Sequence, residues 1–382
     1  MTALERLLER SRFGMKPGLD AIREVCRRLG DPQLDMGKVV HVAGTNGKGQ
    51  TCAFLDHALE AAGFSVGRYT SPHLVKVNER FFVNGRMVDD GTLERAAMQV
   101  EAALEGMEGV TYFEALTAVA FLVFRDLKCD YTILETGLGG RLDATNVCRP
   151  VLSVITKVGL DHCDWLGNTV EAIAREKAGI RKPGVPLLLG ENDDLVRRTV
   201  GADHEVSCAG DFVEQNRALA MKALELLGVK DKLPAGFDFD GAVWPGRTEQ
   251  IGRFLVDGAH NPPGAEALVG WLAKNRPGMQ FSLVFGACGD KNVDAVMEIL
   301  RPVATCGYAV KTRNPRSLEA AELAGKMRAH GFDAQPWPMD KLKEIPGPVL
   351  VCGSLFLAGE ALEALDAYPW GEIRNDPWEK LK

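Results

Sequence analysis

Apolar residues in this chain fall into short runs separated by glycine, proline and charged clusters. Leu19, Ile22, Val25, Cys26 and Leu29 recur at helical spacing, which predicts an amphipathic helix over 19–29. Val39 to Ala43 is an apolar run of strand length broken only by His41, as expected of a strand buried on both faces. A helical pattern then runs from Cys52 to Ala62 and stops at Gly63. Further strands are predicted at 65–70, 131–136, 151–156 and 187–189, and further helices at 91–105, 113–127, 169–181 and 213–227. The segment FEALTAVAFLVFRDL at 113–127 is apolar almost all round, so that helix is expected to be buried. Residues 191–211 show neither period. Strand and helix in alternation predict a doubly wound α/β layer on a parallel sheet.

The stretch KDKLPAGFDFDGAVWPGR at 230–247 interrupts this rhythm with Gly, Pro and Asp, and a domain boundary is expected near 243. Beyond it four strands are visible, near 253–257, 281–286, 306–310 and 348–352, with helical patterns between them. A length of 382 residues exceeds one ordinary core. The expectation is two α/β domains, 1–243 and a smaller Rossmann-like 244–382.

Composition narrows the class. A net charge of −7 argues against a nucleic-acid partner. The opening MTALERLLER is amphipathic and charged, with no signal-peptide core, and no apolar run approaches the ~20 residues of a membrane span. Nine scattered cysteines without a C-x-x-C pair suggest reduced thiols rather than a disulfide frame. These features predict a cytoplasmic protein without a membrane or nucleic-acid partner.

The chemistry centres on HVAGTNGKGQT at 41–51. Gly44, Gly47 and Gly49 allow a sharp turn and close approach to a ligand between strand and helix. The following helix directs its free N–H groups and positive dipole end into the loop, and Lys48 adds a cation. This is a nucleotide-polyphosphate cradle, so the first domain is expected to be P-loop ATPase-like. The match to G-x-x-x-x-G-K-[ST] is incomplete: Val42 and Gly49 stand where Gly and Ser or Thr are usual.

In doubly wound sheets ligands sit at the carboxyl ends of strands. Glu135 ends one predicted strand, and Ser71 and His162 lie just past the ends of two others. Carboxylate, hydroxyl and imidazole form a plausible partial shell for Mg²⁺, which takes its other ligands from phosphate and water. Read on spacing alone, Glu135 is equally a surface acid and His162 a helix cap.

A series of motifs carries a resemblance. YTSPHL (69–74), FEALTAVAF (113–121), ETGLGGRLDATN (135–146) and GLDHCDWLGNTVEAIAREKAGI (159–180) follow the loop. WPGRTEQ (244–250), DGAHNPPG (257–264), FGACGDKN (285–292) and GSLFLAG (353–359) follow in turn. In this order the chain resembles the folylpolyglutamate synthase/dihydrofolate synthase family of the Mur ligase superfamily.

The resemblance implies an ATP-dependent ligase that joins L-glutamate to dihydropteroate or a reduced folate; a monomer is expected. It assigns Gly44, Thr45, Asn46, Gly47, Lys48 and Gly49 to the triphosphate, and Ser71, Glu135 and His162 to one Mg²⁺. Lys177, in EKAGI, corresponds to a lysine carbamylated by CO₂ that helps hold a second Mg²⁺; without the resemblance it reads as a solvated helix lysine. Asp143 and Ala144 correspond to a loop bordering the pterin and Phe113 to an aromatic lining the same pocket, although Phe113 also reads as core. Asp257 and His260 correspond to nucleotide-side residues, and Arg247 to an arginine that reaches phosphate from across a cleft. Lys291 and Ser354 are candidates for the glutamate carboxylates. The implied mechanism is two-step, through an acyl phosphate, with catalytic contributions from Lys48, Lys177, His162 and Arg247 and domain closure to exclude water.

Three departures mark this chain. Gln50 replaces the small serine after G-K-G, which reads as a relaxed position where Gln50→Ser is tolerated or favourable and Thr51 compensates. The 191–243 region is short. The G-x-H-Q-x-x-N pattern is reduced to Gly210, Phe212, Val213 and Asn216, of which Asn216 remains as an adenine contact. These departures keep two alternatives open: another amide ligase of the superfamily, or a nucleotide-binding homologue without catalysis.

Overall fold

A computed structural model describes residues 1–10, 18–289 and 292–370. It separates into two compact units. The first comprises Met1–Pro72 and Val77–Val243; the second holds His73–Lys76 and the described residues from Trp244 onward. The short stretch 73–76, read in sequence with the first domain, therefore groups with the second.

The first unit is built on an eight-stranded sheet. Its strands are β1 (Lys38–Ala43), β2 (Val66–Tyr69), β3 (Phe81–Val83), β4 (Arg86–Met87), β5 (Tyr131–Glu135), β6 (Pro150–Ile155), β7 (Leu187–Leu189) and β8 (His204–Glu205). They lie in the order β4-β3-β2-β5-β1-β6-β7-β8. The six strands from β2 to β8 across this order pair in parallel, whereas β3 and β4 are antiparallel. The sheet is thus mixed rather than wholly parallel. The hairpin has a local cause: Asn84 and Gly85 both adopt positive φ, 50° and 67°, the two-residue turn that Asn-Gly favours.

Helices cover both faces. In Tyr112–Asp126 every residue from Glu114 to Phe124 is buried, as its all-round apolar pattern predicts. Each buried Leu, Val or Phe there stabilises the fold by ~1.5–3 kcal/mol. Thr111 starts this helix with a capping box closed by Glu114. The patternless 191–211 segment contains a helix, Asp194–Val200, and β8. So short a helix and a two-residue edge strand do not display a period.

The second unit carries a six-stranded sheet where four strands were visible by pattern. Its strands are β9 (Glu249–Ile251), β10 (Phe254–Val256), β11 (Phe281–Phe285), β12 (Ala304–Ala309), β13 (Asp333–Pro336) and β14 (Val349–Cys352). Their order is β13-β12-β11-β14-β10-β9, parallel except for β9. The two strands missed by pattern, β9 and β13, are the edges, where polar residues are tolerated and alternation is lost. Among the described residues no helix is long and apolar enough to cross a membrane.

Candidate active site

Sheet order places the candidate groups. The chain passes from β5 to β6 across β1, so β1 sits at the switch point where ligands bind in such sheets. Register aligns Val42 with Glu135 and Ala43 with Ile155. The glycine loop therefore emerges between the ends of β5 and β6.

Two glycines are required by what they touch. Gly44 has φ of 154°, and a Cβ there would stand 1.8 Å from Thr156 Oγ1. Gly47 has φ of 88° and precedes the Lys48–Ala61 helix, which begins four residues earlier than the apolar pattern indicated. The glycines conceal that first turn from a hydrophobicity count. A Cβ on Gly47 would lie 2.6 Å from Asn216 Oδ1. Gly47→Ala is expected to cost about 1–2 kcal/mol through its left-handed backbone. It should also displace Asn216 and raise the KM for ATP; urea denaturation and steady-state kinetics check both effects.

The first half of the loop is fastened to the exit of β6. The Thr45 and Asn46 N–H groups both donate to the Lys157 carbonyl, at 2.8 and 3.3 Å. Thr45 Oγ1 donates to Gly159 O at 3.0 Å, and Thr156 Oγ1 donates to Asn46 O at 2.7 Å. The backbone donors of Thr45 and Asn46 are thus committed to protein. Those of Lys48, Gly49 and Gln50 belong to the first helical turn and have no intrahelical acceptor, which makes that turn the anion-facing part of the loop.

Charged groups gather over it. Lys48 Nζ donates to the carbonyls of Gly44 and Thr45 at 3.1 and 3.3 Å and lies 3.8 Å from Glu135 Oε1. Glu135 is buried, and its other oxygen accepts the Ser71 N–H at 3.0 Å. Lys177 Nζ donates to the same Gly44 carbonyl at 2.7 Å. Lys177 is only 4% exposed, so it is not a solvated surface lysine. Burial and then the nearby Lys48 cation bring its pKa down to about 7, against the opposing pull of Asp161 and Asp143. His162 takes a left-handed backbone at φ 51° before a short helix, Cys163–Leu166. Its N–H donates to Asp161 Oδ1 at 2.9 Å. Sequence reading passed over Thr156 and Asp161; the only signal was polarity just beyond a strand end.

Among the described residues no three His, Cys, Asp or Glu side chains form a metal cluster. One buried carboxylate at a polyphosphate loop fits a hard cation that draws most of its ligands from phosphate and water.

Of the residues expected at the substrate, Phe113 is half-buried, and a Cβ on Gly137 would meet its ring at 2.4 Å. Asp143 and Ala144 are buried. Asp143 Oδ1 accepts from Thr145 N and Oγ1, at 3.0 and 2.5 Å, and Oδ2 accepts from Leu138 N at 2.9 Å. Both carboxylate oxygens thus shape the loop itself. His41 bonds Thr145 Oγ1 at 2.8 Å, and burial lowers its pKa to about 3, so it is neutral.

In the second unit the described candidates lie around the end of β10, with Arg247 arriving from before β9 and Ser354 from after β14. Asp257 accepts from Thr248 N and Ala259 N, each at 2.8 Å. Arg247 Nη1 donates to Gly246 O at 2.9 Å and would lie 2.3 Å from a Cβ on Gly258. His260 Nδ1 donates to Gly258 O at 2.9 Å. Ser354 caps the Leu355–Ala364 helix by accepting from Phe356 N at 3.1 Å. Lys291 lies outside the described residues.

The departure at residue 50 also has a structural partner. Gln50 Oε1 accepts from Asn216 Nδ2 at 2.8 Å. Thr51 is fully buried and its hydroxyl has no partner among the described residues, so it does not offer that hydroxyl at the loop mouth. Gln50 thus has a partner that a serine at this position is too short to reach.

Comparison with known proteins shows the family to which this chain belongs. Residues 42–200 match the Mur ligase middle domain, and residues 246–347 match the Mur ligase glutamate ligase domain. Fold and loop thus define an ATP-dependent ligase of the Mur type. A dihydrofolate synthase/folylpolyglutamate synthase from Bacillus subtilis is 32% identical, covering 93% of this chain and 96% of that protein. Its Escherichia coli counterpart is 34% identical over 92% of each. The structure of E. coli FolC in complex with DHPP and ADP superposes with a TM-score of 0.84 at 30% identity, covering 96% of this chain and 98% of that one. A bifunctional enzyme of this type solved with Mn, AMPPNP and L-glutamate gives 0.80 at 29% identity, covering 96% of this chain and 98% of that one. The chain belongs to the dihydrofolate synthase/folylpolyglutamate synthase family, whose reaction is ATP-dependent ligation of glutamate.

Proposed function

We propose that this chain joins the amino group of L-glutamate to the carboxylate of dihydropteroate, of a folyl(poly)glutamate, or of both, through an acyl phosphate. The observation that carries the reading is the convergence of Lys48 and Lys177 on one loop carbonyl, Gly44 O, with Glu135 3.8 Å from Lys48. In the first step a substrate carboxylate oxygen attacks the γ-phosphorus of ATP and ADP leaves. In the second the glutamate nitrogen attacks the acyl carbon, phosphate leaves, and the nitrogen loses its proton. No protein nucleophile is required.

The residues act by position and charge. The first-turn N–H groups hold phosphate oxygens, and Lys48 offsets charge that builds on the transferred phosphoryl group. Ser71, Glu135 and His162 would hold one Mg²⁺ and Lys177, as a carbamate, a second, with Mg²⁺ neutralising polyphosphate oxygens. Lys177 suits carbamylation: only a neutral amine adds CO₂, and its pKa of about 7 leaves a large neutral fraction. A carbamate nitrogen keeps one N–H, so the bond to Gly44 O is compatible with the modification. In the second unit, Arg247, Asp257 and His260 are proposed to serve the nucleotide, and Ser354 and Lys291 the glutamate. The chain is proposed to act as a monomer.

The test is phosphate release with dihydropteroate, and separately with tetrahydrofolate, each with and without glutamate. Glutamate-dependent release with one or both acceptors is expected. A melting temperature raised by ATP and Mg²⁺ with no release from either acceptor would make the chain a nucleotide-binding protein without ligase activity.

A further inference from the structure

We propose that Gln50 is a nucleotide-binding residue of this chain, held by Asn216 so that its –NH₂ group donates to an oxygen of the bound ATP. The proposal rests on reading the Gly44–Gln50 loop as the ATP site.

Three observations carry it. Gln50 is the third residue of the Lys48–Ala61 helix, in the turn whose backbone donors face the loop mouth. Its amide oxygen is committed, accepting from Asn216 Nδ2 at 2.8 Å; the residue is partly exposed, and its amide nitrogen makes no hydrogen bond among the described residues. A primary amide fixed by its oxygen presents two N–H donors from a known place. Finally, Asn216 is anchored rather than adventitious. It is 7% exposed on the Phe212–Leu226 helix, and its Oδ1 fills the space that a Cβ on Gly47 would need. Gly47, Gln50 and Asn216 thus form one constellation, with Asn216 the positioning residue and Gln50 the group that touches ligand. A neutral amide there adds donors without adding to the charge of Lys48 and Lys177. Where the neighbouring residues offer no small hydroxyl, Gln50 supplies the side-chain donor.

The discriminating variant is Gln50→Glu. Glutamate keeps the size and still accepts from Asn216, but it replaces the two donors with an anion facing the nucleotide. The KM for ATP should rise at least tenfold, with the melting temperature of the nucleotide-free protein within about 2 °C of the parent. Gln50→Met, similar in length without an amide, should raise it several-fold. Asn216→Ala should match Gln50→Met, and the double variant should be no worse than either single, because the two act as a unit. Lys48→Ala separates this idea from the reading beneath it. If Lys48→Ala raises the KM for ATP and the Gln50 variants leave it within twofold, Gln50 is a tie between helices and the proposal is wrong. Lowered melting temperatures with unchanged ATP KM overturn it equally. If Lys48→Ala also leaves the KM unchanged, the loop is not the ATP site and the proposal falls with it. Direct ATP binding by calorimetry gives the same readout for any variant that turns over too slowly to assay.

Discussion

Lys177→Ala is expected to lower ligase turnover by at least about a hundredfold, on the scale of losing one preorganised electrostatic group. The residue is 4% exposed, bonded to Gly44 O and flanked by a second cation, Lys48. A permanent ammonium in that position would face the same cations that a triphosphate attracts. Carbamylation reverses its charge from +1 to −1 and supplies oxygen donors. Two conditions should reproduce the loss in the native protein: rigorous removal of CO₂, and acidification through pH 7, which protonates the amine. A short-chain carboxylate added to Lys177→Ala should restore part of the activity. Insensitivity of the native enzyme to CO₂, together with a bare amine at Lys177 in a nucleotide-bound crystal, would remove the carbamate and leave Lys177 as a direct phosphate contact.

The same residue makes a stability prediction. Its pKa falls from 10.5 to about 7 on folding. Between those values the unfolded chain binds more protons than the folded one, so this residue's contribution to stability rises as pH increases from about 7 toward 10.5. Below pH 7 both states are protonated and the contribution is flat. Urea denaturation in CO₂-free buffer at pH 7 and 9 should show this increment in the native protein and a smaller one in Lys177→Met.

Glu135→Gln is expected to lower turnover by roughly 10²–10³ without unfolding the protein. Glutamine retains an oxygen for the Ser71 N–H but removes the charge that faces Lys48 at 3.8 Å. His162→Ala should act in the same direction. Near-normal turnover of both variants at saturating Mg²⁺, with circular dichroism confirming the fold, would exclude them as metal ligands.

Much of the fold was legible because periodicity is local. The Tyr112–Asp126 helix, the Leu187–Leu189 strand and the ends of β5 and β6 fall within a residue or two of their patterns. What escaped was short or polar: β3 and β4, β8, and the edge strands β9 and β13. For β3 and β4, of three and two residues, the signal lies in the Asn84-Gly85 turn that joins them. The start of the Lys48–Ala61 helix was hidden because glycine, lysine and glutamine carry no apolar stripe.

The sequence by itself determined the glycine loop between a buried strand and a helix, the ordered motifs that mark the family, and the α/β character of both units. Those features reside in neighbouring residues and survive without coordinates. Only the tertiary structure decided which distant polar groups meet. Lys177 donates to a carbonyl 133 positions away, and Asn216 reaches Gln50 across 166. No pattern records such a pair. It depends on the order in which strands enter the sheet, which brings the ends of β5, β1 and β6 side by side. It depends also on burial, which turns an ordinary helix lysine into an amine half neutral near pH 7. Sequence named Lys177 through resemblance and dismissed Gln50 as a relaxed substitution. Packing supplies the physical reason for the first and a partner for the second.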